Sequence, residues 1–240
     1  MTDSADNQGM EEPVPYSERR PVRSYVLRQG RFTAAQKRSL IQYWPRYGLE
    51  VENGVIDPAE LFGRKAELVM EVGFGMGDSL LSMLRQQPDT DFIGVEVHAP
   101  GVGHLLHRVA KLGAGNLRIF KADVIDVLQG CIPRACLDRV QIFFPDPWPK
   151  KRHHKRRLIN ERFVDLVQSK LKPAGLLHLT TDWPEYADSV KSVMGKFEYF
   201  QSKSDPVICR PKTKYEQRAE KLGHPIIDLC YEKTAGSDRR

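Results

Sequence analysis

Residues 68–78 read Leu68-Val69-Met70-Glu71-Val72-Gly73-Phe74-Gly75-Met76-Gly77-Asp78, a short apolar run that stops at three glycines placed at every second position. The run has the length of a buried strand. The glycines let the backbone turn sharply and come closer to a ligand than any Cβ would allow. A dinucleotide fingerprint, G-x-G-x-x-G, needs a glycine at position 78, where this chain has Asp78; its spacing is G-x-G-x-G. An acid opening the next helix adds negative charge where a pyrophosphate would sit. A ligand carrying an amine or a sulfonium suits the turn better, although a plain tight turn would also explain the glycines alone.

Outward from this turn, strand and helix signals alternate. Ser79 to Gln87 sets Leu80, Leu81, Met83 and Leu84 on a helical stripe before Pro88. Further strands are expected at Phe92–Val97, Leu117–Phe120, Arg139–Phe144 and Leu176–Leu179, with helices at Val102–Leu112, Val124–Leu128, Leu158–Leu171 and Pro184–Met194. Late strands are expected near 197–200 and 226–232. Alternating β and α elements pair their strands in parallel through right-handed crossovers, so helices cover both faces of the sheet. Continuous apolar strands fit such a doubly covered sheet. Ligands then bind beyond the carboxyl ends of the strands, near the point where the strand order reverses.

Three successive strand ends carry acids. Beyond Glu71 and Asp78, the second strand closes on Glu96, 19 residues after Gly77, and the third on Asp123. A carboxylate at 96 can accept both hydroxyls of a ribose; it could equally be a solvated strand-end glutamate. Asp123 could accept from an adenine amine or cap the helix that follows. Neutral adenosine joined to an amino acid fits this ring of acceptors, and a phosphate-bearing nucleotide does not.

The fourth strand runs into Phe143-Phe144-Pro145-Asp146-Pro147-Trp148-Pro149 and then Lys150-Lys151-Arg152-His153-His154-Lys155-Arg156-Arg157. The prolines fix φ and stiffen the loop around Asp146. Trp148 offers a flat face for stacking on a base, and the cations would clamp phosphates. These six lysines and arginines match the net charge of +6 of the whole 240-residue chain. A second basic zone holds Arg19, Arg20, Arg23, Arg28, Arg31, Lys37 and Arg38. A polyanionic partner is the reading.

Charged residues at 28% and hydrophobic ones at 40% are ordinary for a globular protein. No stretch approaches the ~18 apolar residues of a membrane span, and the first 25 residues lack the apolar segment of a secretory signal. The four cysteines form no C-x-x-C pair and no zinc spacing with histidine, so no metal is expected and a cytosolic location is. Four regions are expected: an acidic disordered tail over 1–15, a basic N-terminal extension over 16–62, the main α/β domain over 63–233 and a frayed end over 234–240.

E-V-G-F-G-M-G, G-V-E-V-H, F-F-P-D-P-W-P-K-x-R-H-x-K-R-R, T-D-W and R-P-x-T-K-Y-E-Q-R resemble the bacterial tRNA (guanine-N7)-methyltransferase family, over about residues 65–232. Tyr215 stands where the family often has phenylalanine. The resemblance implies a class I methyltransferase fold, Rossmann-like, with a doubly wound, mostly parallel seven-stranded sheet. It implies transfer of a methyl group from S-adenosyl-L-methionine to N7 of the guanine at position 46 in the tRNA variable loop. By resemblance, Glu71, Gly73, Gly75, Gly77, Glu96, Asp123 and Asp146 bind the cofactor, and Asp146 is also catalytic. Lys150, Asp182, Thr213, Lys214, Tyr215 and Glu216 would contact substrate, and residues Lys150, Lys151, Arg152, His153, His154, Lys155, Arg156 and Arg157 the RNA. Asp182, before Pro184, could instead cap a helix, and Glu216 could be a surface acid. No protein partner is implied, and the chain would act as a monomer or homodimer.

Other readings are weaker. A nicotinamide-dependent oxidoreductase would share the fold but lacks the glycine spacing. A non-catalytic RNA-binding module would not need the strand-end acids. A class I methyltransferase acting on another RNA, a protein or a small molecule is the nearest rival, and for a protein or small-molecule target it leaves the basic Pro-Asp-Pro-Trp loop without a use.

Overall fold

In a computed structural model, which describes residues 23–25, 32–203 and 211–234, the alternation expected from residue 67 onward is seen. Strands β1 (Gly48–Leu49), β2 (Glu67–Val72), β3 (Thr90–Val95), β4 (Leu117–Phe120), β5 (Leu137–Phe143), β6 (Leu171–Thr181), β7 (Phe200–Lys203) and β8 (Ile227–Lys233) form one sheet in the order β1-β4-β3-β2-β5-β6-β8-β7. The helices are α1 (Ala34–Tyr47), α2 (Pro58–Phe62), α3 (Asp78–Gln86), α4 (Ala99–Leu112), α5 (Val124–Gly130), α6 (Glu161–Lys170), α7 (Pro184–Met194) and α8 (Lys214–Lys221). From the central β2 the chain winds outward through β3 and β4, then returns to β5 and β6 on the other side. The order therefore reverses between β2 and β5, which places a crevice at their carboxyl ends.

Two apolar layers sandwich the sheet. On one side Leu80, Leu81, Met83 and Leu84 of α3 pack with Val102, Leu105, Leu106 and Val109 of α4; on the other Val127, Phe163, Val164, Val167, Tyr186 and Val190 line α5, α6 and α7. Burial of both faces is why β2 to β5 read as continuous apolar runs rather than alternating ones.

Four features depart from the sequence reading. The sheet has eight strands, because Gly48–Leu49 of the N-terminal extension adds a short parallel edge to β4. β8 runs antiparallel between β6 and β7. The helix expected over 158–171 is shorter: Asn160 caps it, its side-chain oxygen accepting from the Phe163 N–H at 3.1 Å, and Lys151–Arg156 form a separate 3-10 turn. Helices α1 and α8 were not foreseen. The α1 helix starts at a reciprocal capping box between Thr33 and Gln36, and it crosses α4 at Gly103, where a Cβ would lie 2.5 Å from the Gln36 carbonyl oxygen. That close approach explains a glycine inside α4. Among the described residues no helix is long and apolar enough to cross a membrane.

Candidate active site

The crevice holds a cleft of about 370 Å³ walled by the ends of β2 to β5. Its lining includes Gly73, Gly75, Glu96, Asp123, Phe144, Asp146 and Tyr215. The glycine turn sits where the spacing predicts, with φ of 72°, 56° and 75° at Gly73, Gly75 and Gly77. Residues with a Cβ adopt this left-handed region at a cost. Gly77 lies behind the turn as the residue preceding α3, packed on Leu105.

Glu96 shapes the turn. Its Oε2 accepts from the Gly75 N–H at 2.8 Å, and its Oε1 accepts from the N–H groups of Val97 at 2.6 Å and His98 at 2.9 Å. Oε1 is thus fully used, and Oε2 retains room for a further donor. Asp123 caps α5 through the Ile125 N–H at 3.0 Å and also lines the cleft.

Glu71 is placed differently from the expectation. It is 2% exposed beneath the cleft, not on its wall, because alternation along β2 turns it toward α3. The Gln141 Nε2–H donates to it at 2.9 Å. Burial pushes its pKa up to about 7, against the Gln141 hydrogen bond and the Arg139 charge, which pull downward. Between the unfolded value near 4.5 and about 7 the folded state holds a proton that the unfolded state has lost. Stability therefore falls as pH rises through that window, by up to about 3 kcal/mol. Glu71→Gln is expected to flatten the decline in urea-unfolding stability between pH 5 and 8; an unaltered slope would remove Glu71 as its source.

Asp78 does not serve the cleft by charge, as the sequence suggested. It pairs with Arg108 of α4 and with Lys214 Nζ of α8 at 2.8 Å. Partial burial disfavours its ionisation, but the Lys214 and Arg108 hydrogen bonds outweigh that and hold the carboxyl below its usual range. The protein thus neutralises this acid with its own cations, and the pair ties α8 to the start of α3.

The proline loop is held from both ends. Phe144 and Trp148 have φ of 52° and 47°, uncommon for residues with side chains. The Phe144 N–H donates to the Thr180 carbonyl at 2.8 Å, and Arg157 Nε–H donates to the Pro147 carbonyl at 3.0 Å. Asp146 is exposed on the cleft wall. Trp148 is not a free stacking surface: Arg156 lies 5.1 Å from its ring centre, His153 meets it edge-on, and its N–H donates to the Ser24 carbonyl at 3.2 Å. The exposed aromatic at the mouth is Tyr215, 63% exposed and stacked on Phe144 with ring centres 6.3 Å apart.

The basic run divides. Lys150, Lys151, Arg152 and Lys155 are exposed; His153, His154 and Arg156 are half-buried. Arg157, expected to meet RNA, is 5% exposed, pairs with Glu185 at 3.0 Å and lies over the Tyr186 ring. It braces the loop from below. Asp182 is not the cap of α7, a position held by Trp183; it faces His224 at 3.5 Å. Thr213 caps α8 through the Glu216 N–H at 3.0 Å, and both side chains are buried. Thr213-x-x-Glu216 is a cap signature that marks this helix in the sequence. Of the 213–216 segment, Tyr215 alone lines the cleft.

A glycine turn at the end of a central strand, ribose-spaced Glu96, Asp123 one strand over and a cleft of this size, within the ~300–1,000 Å³ of small-molecule sites, fit S-adenosylmethionine. Fold and site together define a class I S-adenosylmethionine-dependent methyltransferase. A solved 16S rRNA (adenine(1408)-N(1))-methyltransferase from Catenulisporales acidiphilia shares the fold, at 16% identity and a TM-score of 0.54 over 80% of this chain and 95% of that one. Residues 65–229 match a family model described as a putative methyltransferase. The tRNA (guanine-N(7)-)-methyltransferase of Marinobacter nauticus is 49% identical over 98% of this chain and all of its own. That of Alcanivorax borkumensis is 49% identical over 90% of this chain and 93% of its own. The chain belongs to the tRNA (guanine-N7)-methyltransferase family.

Proposed function

We propose that the protein methylates N7 of a guanine in tRNA, that the target is the guanine at position 46 of the variable loop, and that the reaction takes place in the cytoplasm at Asp146. The observation that carries this reading is the placement of Asp146, on a stiff loop, between the carboxylate-lined cleft and the exposed cations of residues 150–155.

When bound, S-adenosylmethionine supplies an electrophilic methyl group on a sulfonium. Glu96 would accept from a ribose hydroxyl through Oε2, Asp123 from the adenine amine, and the Gly73–Gly75 backbone would pack against the amino-acid end. Guanine N7 carries a free lone pair as an acceptor. Forming its bond to the methyl carbon breaks the carbon–sulfur bond and leaves the positive charge on the purine, with no proton transferred. A general base is therefore unnecessary, and most of the acceleration comes from alignment. Asp146 orients the guanine and stabilises the cationic ring. Phe144 and Tyr215 offer an aromatic platform at the mouth. Lys150, Lys151, Arg152 and Lys155 hold phosphates, and Asp182 and Lys214 belong to the substrate side.

A transcript carrying 7-deazaguanine at position 46 tests the atom. Binding is expected to match the ordinary transcript and labelled methyl incorporation to vanish. Undiminished incorporation would move the target elsewhere.

A further inference from the structure

Ser24 and Tyr25, from the basic N-terminal segment, stand in the cleft wall among residues contributed by the ends of the sheet. One contact ties them to the proline loop, and a second orders the segment internally. The Trp148 indole N–H donates to the Ser24 carbonyl at 3.2 Å, and Arg23 Nη1–H donates to the Tyr25 hydroxyl at 2.6 Å. The Arg23 guanidinium carbon also lies 5.6 Å from the Tyr25 ring centre. Tyr25 lines the same cleft as Asp123, and partial burial together with the Asp123 charge raises the pKa of its phenol.

The Asp123 side of the cleft is where an adenine would lie. Carboxylates at 96 and 123 can accept from the edges of a ribose and a base, but they do nothing for the faces of the base. The lining beside these two carboxylates is Val97, His98, Ala122 and Val124. Tyr25 adds a phenol ring to this lining, and stacking on a base needs such a flat partner.

We propose that Tyr25 is a cofactor-binding residue, its ring set against the nucleobase at the adenosine end of the cleft. This rests on the S-adenosylmethionine reading of the cleft. Trp148 belongs to the same stiff loop as Asp146, so its hydrogen bond to Ser24 links the position of Tyr25 to the loop that presents the catalytic carboxylate. Trp148 is here a positioning residue for the segment, which explains why its N–H is spent on a backbone carbonyl.

The test is calorimetric binding of S-adenosylhomocysteine to the full chain, as wild type, Tyr25→Phe, Tyr25→Ala and Trp148→Phe. Tyr25→Ala is expected to weaken binding about tenfold and Tyr25→Phe by no more than about twofold, since the ring is retained. Trp148→Phe keeps a ring in the loop but removes the donor, and is expected to weaken binding about threefold. Wild-type affinity in Tyr25→Ala would overturn the assignment. Equal losses in Tyr25→Phe and Tyr25→Ala would also overturn it, by moving the effect from the ring to the hydroxyl. A wild-type protein that fails to bind S-adenosylhomocysteine would sink the reading of the cleft itself, a result distinct from either.

Discussion

Asp146→Asn is expected to lower single-turnover methyl transfer by about 10²–10³-fold at saturating substrates, with tRNA and S-adenosylhomocysteine affinities changed less than about threefold. Asparagine keeps the shape and one acceptor oxygen, so the loss would isolate the negative charge proposed to face the ring as it becomes cationic. The surroundings favour so clean a separation. Asp146 is exposed, so removing its charge strands no buried partner, and the loop stays pinned by Phe144 to Thr180 and by Pro147 to Arg157. The rate should also be nearly flat between about pH 6.5 and 8.5, because no proton moves in the step. A rate that followed one carboxylate titration, with both substrates still bound normally, would instead make Asp146 a base.

Replacing Lys150, Lys151, Arg152 and Lys155 together by glutamine is expected to weaken tRNA binding on the order of 10²–10³-fold near physiological salt. Four phosphate contacts at ~0.7–0.9 counterions each should also flatten the log–log salt dependence by about 3. These four side chains are exposed and carry no described ion pair, so the fold should not suffer. Arg157 is left out deliberately: buried over Tyr186 and paired with Glu185, it supports the loop, and its loss would confuse binding with folding. An unchanged salt slope would show that the tRNA phosphates lie elsewhere on the surface.

What the sequence revealed and what it hid follow from how far each signal reaches along the chain. The order of elements from residue 67 to 194 rests on local periodicity, and the glycine turn on φ values that only glycine adopts freely. Glu96, Asp123 and Asp146 could be placed in one cleft because a parallel sheet brings its carboxyl ends together. Burial was less visible. In Lys150 to Arg157 nothing local separates Arg157 from its exposed neighbours; a 3-10 turn rotates it inward. Glu71 gave a hint, as an acid inside a central strand, yet its partner Gln141 lies 70 residues away. The aromatic surface moved from Trp148 to Tyr215 because Arg156 and Ser24 occupy Trp148, and Ser24 is 124 residues upstream. Helix α8 had its cap signature in Thr213 and Glu216, which the family resemblance overshadowed by presenting the segment as substrate contacts. Arg19, Arg20, Arg28 and Arg31 of the second basic zone lie outside the described residues.

The most direct test of methyl transfer to N7 of guanine 46 is chemical. An unmodified tRNA transcript is incubated with the protein and methyl-labelled S-adenosylmethionine, then treated with borohydride and aniline, which cut the chain at N7-methylguanosine. A single cut at position 46, absent from the guanine-to-adenine transcript, is the expected result. Label incorporated without that cut, or a cut that survives the substitution, would contradict it.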